Sequence, residues 1–288
     1  MATMPDHDPH RTDRVRYGRI DHEYGLRLAT TDPSDDGPIW MINLMKYREV
    51  AAYVDGRSDI SGREADDRYM PIESLNAVGA RVVFLADVED VLLGDGAAWD
   101  RIAVVKYPTR RSFIEMQSRP DFRRQHVHKD AGMEQTIVIG GTPLPVPTNA
   151  DTATAVEWTR VPHPPTDDDG PVVVVHVLQF HDVDNAADTP LVIQTYQSAA
   201  AQVALHHGLR VSGWFAAEGT IIGDGRPWHQ IRFHTFPSRR AFLEVARDSD
   251  RLAHQREFRD AAISDTYTMI LRASLNELES SMNRLDQA

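Results

Sequence analysis

Apolar and polar positions alternate along this chain in a way that predicts short strands and helices. Residues 39–47 are nearly all apolar and follow Gly-Pro, which indicates a buried strand. Residues 65–78 have helical periodicity and stop before Gly79, a natural helix end. Residues 81–89 and 99–107 have strand character and flank a Gly-Asp-Gly turn. These two segments therefore predict a β-hairpin.

The elements that follow the hairpin complete one structural unit. Pro108 ends the strand, and Thr109 is placed to cap a helix that carries Phe113. Residues 136–139 predict a last strand. The order β-α-β-β-α-β is that of a ferredoxin-like unit, in which two helices cover one face of a four-stranded antiparallel sheet.

The same pattern returns in the second half of the chain. LLGDGAAWDRIAVVKYPTRRSFIEM (92–116) matches IIGDGRPWHQIRFHTFPSRRAFLEV (221–245) without a gap, and GPIWMINLMKY (37–47) matches GPVVVVHVLQF (170–180). A repeat of this kind sets the architecture of a chain. The uncovered face of each sheet must also be buried. We therefore predict an α+β protein of two tandem ferredoxin-like units that form an intramolecular dimeric α+β barrel with an interior between them.

The repeat also predicts the domain boundaries. The segment between the copies is rich in Pro, Thr and Asp, as expected of a linker. The predicted parts are an N-terminal extension that is partly mobile (1–36), a first unit (37–140), a linker (141–169), a second unit (170–275) and a C-terminal tail (276–288).

Composition narrows the classes of function. Among 288 residues there is no cysteine, and the formal net charge is −12, with no long run of Lys or Arg. Cysteine-based chemistry is therefore excluded, and the charge argues against nucleic acid as a partner. No apolar run approaches the ~20 residues that span a bilayer, and the N-terminus lacks the pattern of a secretory signal. We expect a cytoplasmic protein that binds a small-molecule ligand and does not bind a membrane. Pairing into a homodimer is a possibility that the sequence leaves open.

Several segments together resemble a known family. These are INLMKYR, VGARVVFLADVE, the Gly-Asp-Gly turn, WDRIAVVKYPTRRSFIEM and HVHKDAG, all in the first half. They resemble the dimeric α+β barrel superfamily and, within it, the domain-of-unknown-function family numbered 1330. The resemblance implies the fold and a cavity inside the barrel. It implies no one activity, because this superfamily includes cofactor-free monooxygenases, isomerases, cyclases, haem enzymes and binding proteins.

Strand alternation selects candidate site residues. Asn43 aligns with His176 in the repeat, so a polar residue interrupts an otherwise apolar strand face in both halves. Arg232 and His234 share one face of the strand after the second Gly-Asp-Gly turn. If that face lines the barrel, they form a base-and-cation pair suited to an enolate or carboxylate. The alternative is that these are satisfied buried groups or ordinary surface residues.

A further set of residues is aromatic or histidine. Tyr69, His126, His128 and Trp228 are candidate substrate-binding residues, and the histidine-containing segment also recurs in the resembled family. His126 and His128 are two residues apart, so on a helix their side chains diverge and do not share a metal ion easily. We therefore predict no metal and no cofactor.

Three classes of function remain open at this point. The first is a cofactor-independent isomerase, cyclase or monooxygenase with His234 or His176 as base, Arg232 as charge stabiliser and Asn43 orienting the substrate. The second is a non-catalytic small-ligand-binding or stress-associated protein. The third is a haem-binding protein. The residues alone do not decide whether the chain is an enzyme.

Overall fold

The structure is a computed structural model that describes residues 14–146 and 156–283. Residues 1–13 of the predicted N-terminal extension, residues 147–155 of the linker and the last five residues lie outside the described residues. Ten strands are present in the described ranges: β1 Arg14–Val15, β2 Gly18–Ile20, β3 Ile39–Tyr47, β4 Arg81–Leu93, β5 Arg101–Tyr107, β6 Met133–Pro143, β7 Val172–Phe180, β8 Arg210–Gly223, β9 Gln230–Phe236 and β10 Ile263–Asn276.

Eight of these strands close into an antiparallel barrel. Neighbouring strands follow the order β8-β6-β3-β5-β4-β10-β7-β9, and β9 pairs back to β8. The first-half strands are contiguous, as are the second-half strands, and the halves join along β4–β10 and β6–β8. Strands β3 and β7 are four places apart in this ring of eight, so they lie on opposite sides of the barrel. The fold is a mixed α+β fold built on a closed barrel.

Helices cover the outside of the barrel. In chain order they are α1 His22–Thr30, α2 Gly62–Arg68, α3 Ile72–Ala77, α4 Arg110–Ser118, α5 Pro120–Gly132, α6 Leu191–His206, α7 Arg239–Arg247, α8 Ser249–His254, α9 Asp260–Ala262 and α10 Leu278–Asn283. A π-helix, Gln255–Arg259, joins α8 to α9. None of the described helices has the length and apolar character to cross a membrane.

The barrel interior is filled with large apolar side chains. Trp40, Phe84 and Phe233 are completely buried there, and the rings of Phe84 and Phe233 meet edge to face with centroids 5.2 Å apart. At one end α10 inserts Leu278 into this core, and Trp40 Nε1 donates a hydrogen bond to Ser281 Oγ at 2.9 Å. The segment predicted as a tail thus includes a helix that packs on the barrel.

Local differences from the predicted elements have simple causes. β3 has the predicted bounds, and Thr109 Oγ1 caps α4 by accepting from Ser112 N at 3.0 Å. The single helix predicted over 65–78 is two helices, because Pro71 lacks the N–H that a continuous helix needs. In the linker, Trp158–Arg160 forms a 3₁₀ turn.

Candidate functional site

A cavity of about 700 Å³ lies between the second-half sheet and the helices that cover it. His176, Arg232 and His234, the three residues predicted to be catalytic, all line it. The prediction that the cavity lies inside the barrel is wrong. One face of each strand lies against the barrel interior and the other lies against helices, so both faces are apolar. Hydrophobicity alone therefore does not show which face points into the barrel. The packed apolar interior leaves the polar positions on the helix side.

One row of side chains crosses the sheet beneath the cavity. In the strand pairing, Thr268 of β10 is opposite His176 of β7, His176 is opposite Arg232 of β9, and Arg232 is opposite Trp214 of β8. Directly opposed residues on neighbouring strands bring their side chains within contact distance. All four side chains line the cavity, so the row forms its polar floor.

Arg232 is a buried cation whose partners are neutral. Its guanidinium donates to Gln230 Oε1 at 2.6 and 3.2 Å and stacks over the Trp214 ring at 4.1 Å. Gln197 of α6 accepts two more hydrogen bonds once its amide oxygen is turned toward the guanidinium. Burial, with the nearby charge of Arg259, lowers the pKa of Arg232 to about 9. The group therefore stays protonated near pH 7, and no carboxylate among the described residues pairs with it.

The two histidines of the cavity are held neutral. The rings of His176 and His234 are 5.2 Å apart, and His176 Nδ1 is 3.1 Å from Thr268 Oγ1. Burial, reinforced by Arg232, lowers the pKa of His234 to about 3, and burial also lowers that of His176. No described residue forms a hydrogen bond with the His234 side chain. His234 is thus a neutral imidazole with free nitrogens at a cavity wall.

The helices add two more arginines to the cavity wall. Arg251 is fixed by Tyr196, whose hydroxyl is 2.8 Å from Nη1, and by the backbone oxygens of Val245 and Ala246. Arg259 is 8% exposed, and its ion pair among the described residues is with Asp260 at 3.6 Å. The rest of the wall is mostly apolar, including Leu178, Ile193, Leu209, Phe236 and Phe242. The cavity combines an apolar body with excess positive charge.

Asn43 lies in the corresponding space of the first half, across the barrel from His176. Its Oδ1 accepts from Lys129 Nζ at 3.3 Å, and its Nδ2 donates to Met41 O at 3.0 Å. Lys129 is 9% exposed, and burial lowers its pKa. The prediction that Asn43 orients a substrate held by His176 and Arg232 is wrong, because β3 and β7 lie on opposite sides of the barrel.

Tyr69 and His126 occupy the same first-half space. Each packs on Phe122, with ring centroids 6.3 and 5.1 Å away, and His126 Nε2 is 3.0 Å from the hydroxyl of Tyr17. Burial lowers the pKa of His126 to about 4. These residues do not line the second-half cavity, so the structure does not bring them to the predicted catalytic residues.

His128 and Trp228 are also placed elsewhere. His128 Nδ1 is 2.7 Å from the Tyr53 hydroxyl, on a different side of α5 from His126, as the i, i+2 spacing predicts. Trp228 is 3% exposed and packs in the barrel interior against Tyr267, with centroids 5.3 Å apart. Among the described residues no group of three histidine or acidic side chains is arranged to hold a metal ion.

Sequence reasoning missed several residues that line this cavity, in particular Trp214, Gln197, Tyr196, Arg251, Arg259 and Thr268. A signal was available in the repeat. Phe122 is the third residue of α5, and Arg251 is the third residue of the counterpart helix α8. An apolar residue of the first copy is thus replaced in the second by a half-buried arginine that lines the cavity.

Comparisons with known proteins come from solved structures. No protein-family model matches the chain, and no curated protein matches it either. The chain is similar to the methylated form of the RPA0582 protein, a protein of unknown function from Rhodopseudomonas palustris (32% identity over 44% of this chain and 96% of that one, TM-score 0.41). It is also similar to chlorite dismutase from Candidatus Nitrospira defluvii, with 11% identity over 90% of this chain and 99% of that one and a TM-score of 0.47. A third similar structure is a protein provisionally assigned as a monooxygenase from Lactobacillus acidophilus, with 10% identity over 84% of this chain and 97% of that one and a TM-score of 0.41.

The fold assignment depends on the strand pairings of the chain itself, since likenesses this distant carry no information about activity. Eight antiparallel strands close a barrel, and helices cover it outside. The chain therefore has a mixed α+β fold with a closed eight-stranded barrel.

Proposed function

We propose that the second-half cavity binds a small, largely apolar organic molecule and that the protein acts on it as a cofactor-independent enzyme of isomerase, cyclase or monooxygenase type. One observation carries this proposal. His234, a neutral imidazole without a hydrogen-bond partner among the described residues, and Arg232, a guanidinium without a carboxylate, face the same apolar cavity. A base beside a cation is what proton abstraction to form an enolate or phenolate requires.

The chemistry follows from the state of each group. A neutral His234 or His176 can accept a proton from an acidic C–H or O–H of the substrate, because the negative charge that forms beside the imidazolium offsets the lowering of its pKa by burial. The electron pair left behind becomes an oxyanion, which the fixed guanidinium of Arg232 stabilises by charge-assisted hydrogen bonds. Gln230, Gln197 and Trp214 hold that guanidinium in place before the reaction begins. Thr268 orients His176 through its Nδ1.

We also propose the finer architecture and context of the chain. The strand orders β6-β3-β5-β4 and β10-β7-β9-β8 support two ferredoxin-like units in tandem, related to the family numbered 1330. A cytoplasmic location and pairing into a homodimer remain proposals of the same kind, and gel filtration tests the second of them.

A phenol probe tests the proposed chemistry without knowledge of the substrate. Burial in an apolar site raises the pKa of a phenol, whereas a nearby cation lowers it. We expect 4-nitrophenol to bind with a lowered pKa, followed through the visible absorbance of its phenolate, and we expect Arg232→Met to reverse the shift. Arg256→Met, which removes an exposed arginine beside the cavity, is the control with the same change in net charge.

The outcomes of this titration separate the remaining alternatives. Binding with a raised phenol pKa contradicts enolate stabilisation and favours a passive ligand-binding protein. Haemin is titrated in parallel. A Soret band that forms at one equivalent and is lost in both His234→Ala and His176→Ala would favour the haem-binding alternative.

A further inference from the structure

The helix that closes the cavity carries one more residue than its counterpart in the first half. α5 has 13 residues, from Pro120 to Gly132, and runs directly into β6. Its counterpart, from Ser249 to Ala262, has 14 residues before β10, and its middle is the π-helix Gln255–Arg259. A π-helical turn is the usual way in which a helix accommodates one inserted residue, and such turns are frequent at functional sites.

The inserted turn faces the cavity. Gln255 and Arg259, the first and last residues of the π-helix, both line it. Arg259 precedes the last strand by four residues, as Lys129 does in the first half. Lys129 reaches Asn43, the first-half equivalent of His176. The charge of Arg259 likewise acts on His176 and Arg232, lowering the pKa of both. Arg259 lines the same cavity as these two floor residues.

The charge of Arg259 is poorly compensated within the protein. Asp260, its ion-pair partner at 3.6 Å, has a side chain that is 50% exposed, whereas the Arg259 side chain is 10% exposed. An ion pair with one solvated partner contributes little. Arg232 and Arg251 add positive charge to the same cavity, and neither pairs with a described carboxylate. Buried cations without a counter-ion are costly, so an anion that enters the cavity would relieve this cost.

We infer that the ligand of this cavity bears a carboxylate on a flat or apolar framework, and that Arg259, the last residue of the π-helical turn, binds this carboxylate. This inference rests on the proposed function and names its substrate class. Arg259 anchors the permanent charge, which leaves Arg232 and His234 for the reacting end of the molecule. The planar guanidinium fork matches a carboxylate in two parallel hydrogen bonds.

Two probes of equal shape test the inference. 1-Naphthoate and 1-naphthamide share a ring system and differ in charge, and calorimetric titration gives the affinity of each. We expect naphthoate to bind at least about 10-fold tighter than naphthamide, as a charge-assisted bond of about 1.4 kcal/mol would give. We expect Arg259→Met to remove this preference, because it weakens naphthoate binding far more than naphthamide binding. Arg256→Met, with the same loss of charge on an exposed residue, keeps the preference.

A second variant tests whether the inserted residue itself is needed. Deletion of Glu257, an exposed residue of the π-helix, restores the 13-residue length of α5 and keeps the four-residue spacing from Arg259 to β10, which is the spacing from Lys129 to β6. We expect this deletion to keep the naphthoate preference, because Arg259 then has the place in its helix that Lys129 has in the first half. Loss of the preference in this deletion, its retention in Arg259→Met, or its loss in Arg256→Met would overturn the inference.

The two proposals fail in different ways. If wild type binds naphthoate and naphthamide equally while the 4-nitrophenol pKa is still lowered, the carboxylate inference is wrong and the proposed function stands. If neither naphthyl probe binds and the pKa of the phenol is not lowered, both are wrong.

Discussion

The space between sheet and helices is filled in the first half of the molecule and hollow in the second, although the same backbone hydrogen bonds frame both. The oxygen of Leu75 accepts from Ala80 N at 2.9 Å, and the oxygen of Ala204 accepts from Leu209 N at 3.0 Å. A leucine of the first half therefore corresponds to an alanine that lines the cavity. The smaller side chain contributes to the open space, together with the single helix α6 that stands where the first half has α2 and α3.

The two spaces also differ in how their charges are balanced. Arg101, on the helix side of β5, pairs with Asp66, Asp67 and Asp87 at 3.0 to 3.1 Å. Arg232, on the helix side of β9, pairs with no described carboxylate. The first-half cation is thus part of the fold, and the second-half cation is available to something that enters. This difference supports the proposal that the second-half cavity, and not the first-half space, receives a ligand.

Removal of each arginine gives the largest contrast. Arg101→Met leaves Asp66, which is 7% exposed, without its cationic partner, so we expect the free energy of unfolding to fall by about 3–5 kcal/mol. Arg232→Met leaves no buried carboxylate behind and removes a desolvated charge, so we expect a change of less than about 1 kcal/mol. Urea unfolding measures both. Equal losses in the two variants would show that Arg232 has a structural role.

Exchange of the leucine and the alanine at the equivalent positions 75 and 204 should have the next largest effect on stability. Leu75→Ala opens a cavity in a packed space and is expected to cost about 2–5 kcal/mol. Ala204→Leu places the same side chain in space that is already empty, so we expect stability to be unchanged or higher. The same variant should weaken naphthoate binding. A loss of stability in Ala204→Leu as large as that in Leu75→Ala would contradict the open cavity.

Much of the fold follows from sequence patterns because the patterns are local. The bounds of β3 and the cap at Thr109 depend on residues next to them in the chain, and both were predicted. Which face of β3 and β7 lies inside the barrel was not predictable from alternation, because Ile42 and Met41, on opposite faces, are both buried. That choice is made by barrel closure, which involves strands far apart in sequence.

The site was predictable only in part for the same reason. His176, Arg232 and His234 meet because β7 and β9 pair in the register that the repeat implies. Arg259 was missed because the one-residue insertion in its helix hides its correspondence to Lys129 when the two copies are compared without a gap. Asn43 was grouped with His176 by its position in the repeat, and repetition itself places equivalent residues on opposite sides of the barrel.

Acid titration compares the histidines of the two spaces. Burial holds the pKa of His126 to about 4 and that of His234 to about 3, both below the value near 6.5 of an unfolded chain. The unfolded chain therefore binds more protons below pH 6.5, and stability is lost as the pH falls. Each histidine contributes about 2 kcal/mol of loss between pH 7 and pH 5. The free energy of unfolding, measured by urea denaturation between pH 7 and pH 5, should therefore depend less steeply on pH in His126→Gln and in His234→Gln than in wild type.

A bound anion should separate these two contributions. The carboxylate of naphthoate bound at Arg259 adds a negative charge to the cavity and should raise the pKa of His234, so saturating naphthoate should reduce the acid dependence of the stability of wild type. The effect should persist in His126→Gln and shrink in His234→Gln. An equal response in both variants would place the anion away from the second-half cavity.

The smallest effect is spectroscopic and leaves stability nearly unchanged. Of the five tryptophans, Trp214 lies on the cavity floor, whereas Trp40, Trp99 and Trp228 are in the barrel interior. A ligand that contacts Arg232 also reaches the Trp214 ring stacked 4.1 Å from it, so naphthoate should quench part of the intrinsic fluorescence. Trp214→Phe should abolish this quenching, and Trp228→Phe should preserve it. The reverse pattern would mean that ligands enter the barrel interior. The assignment of the ligand site to the cavity between the second-half sheet and its helices would then be wrong.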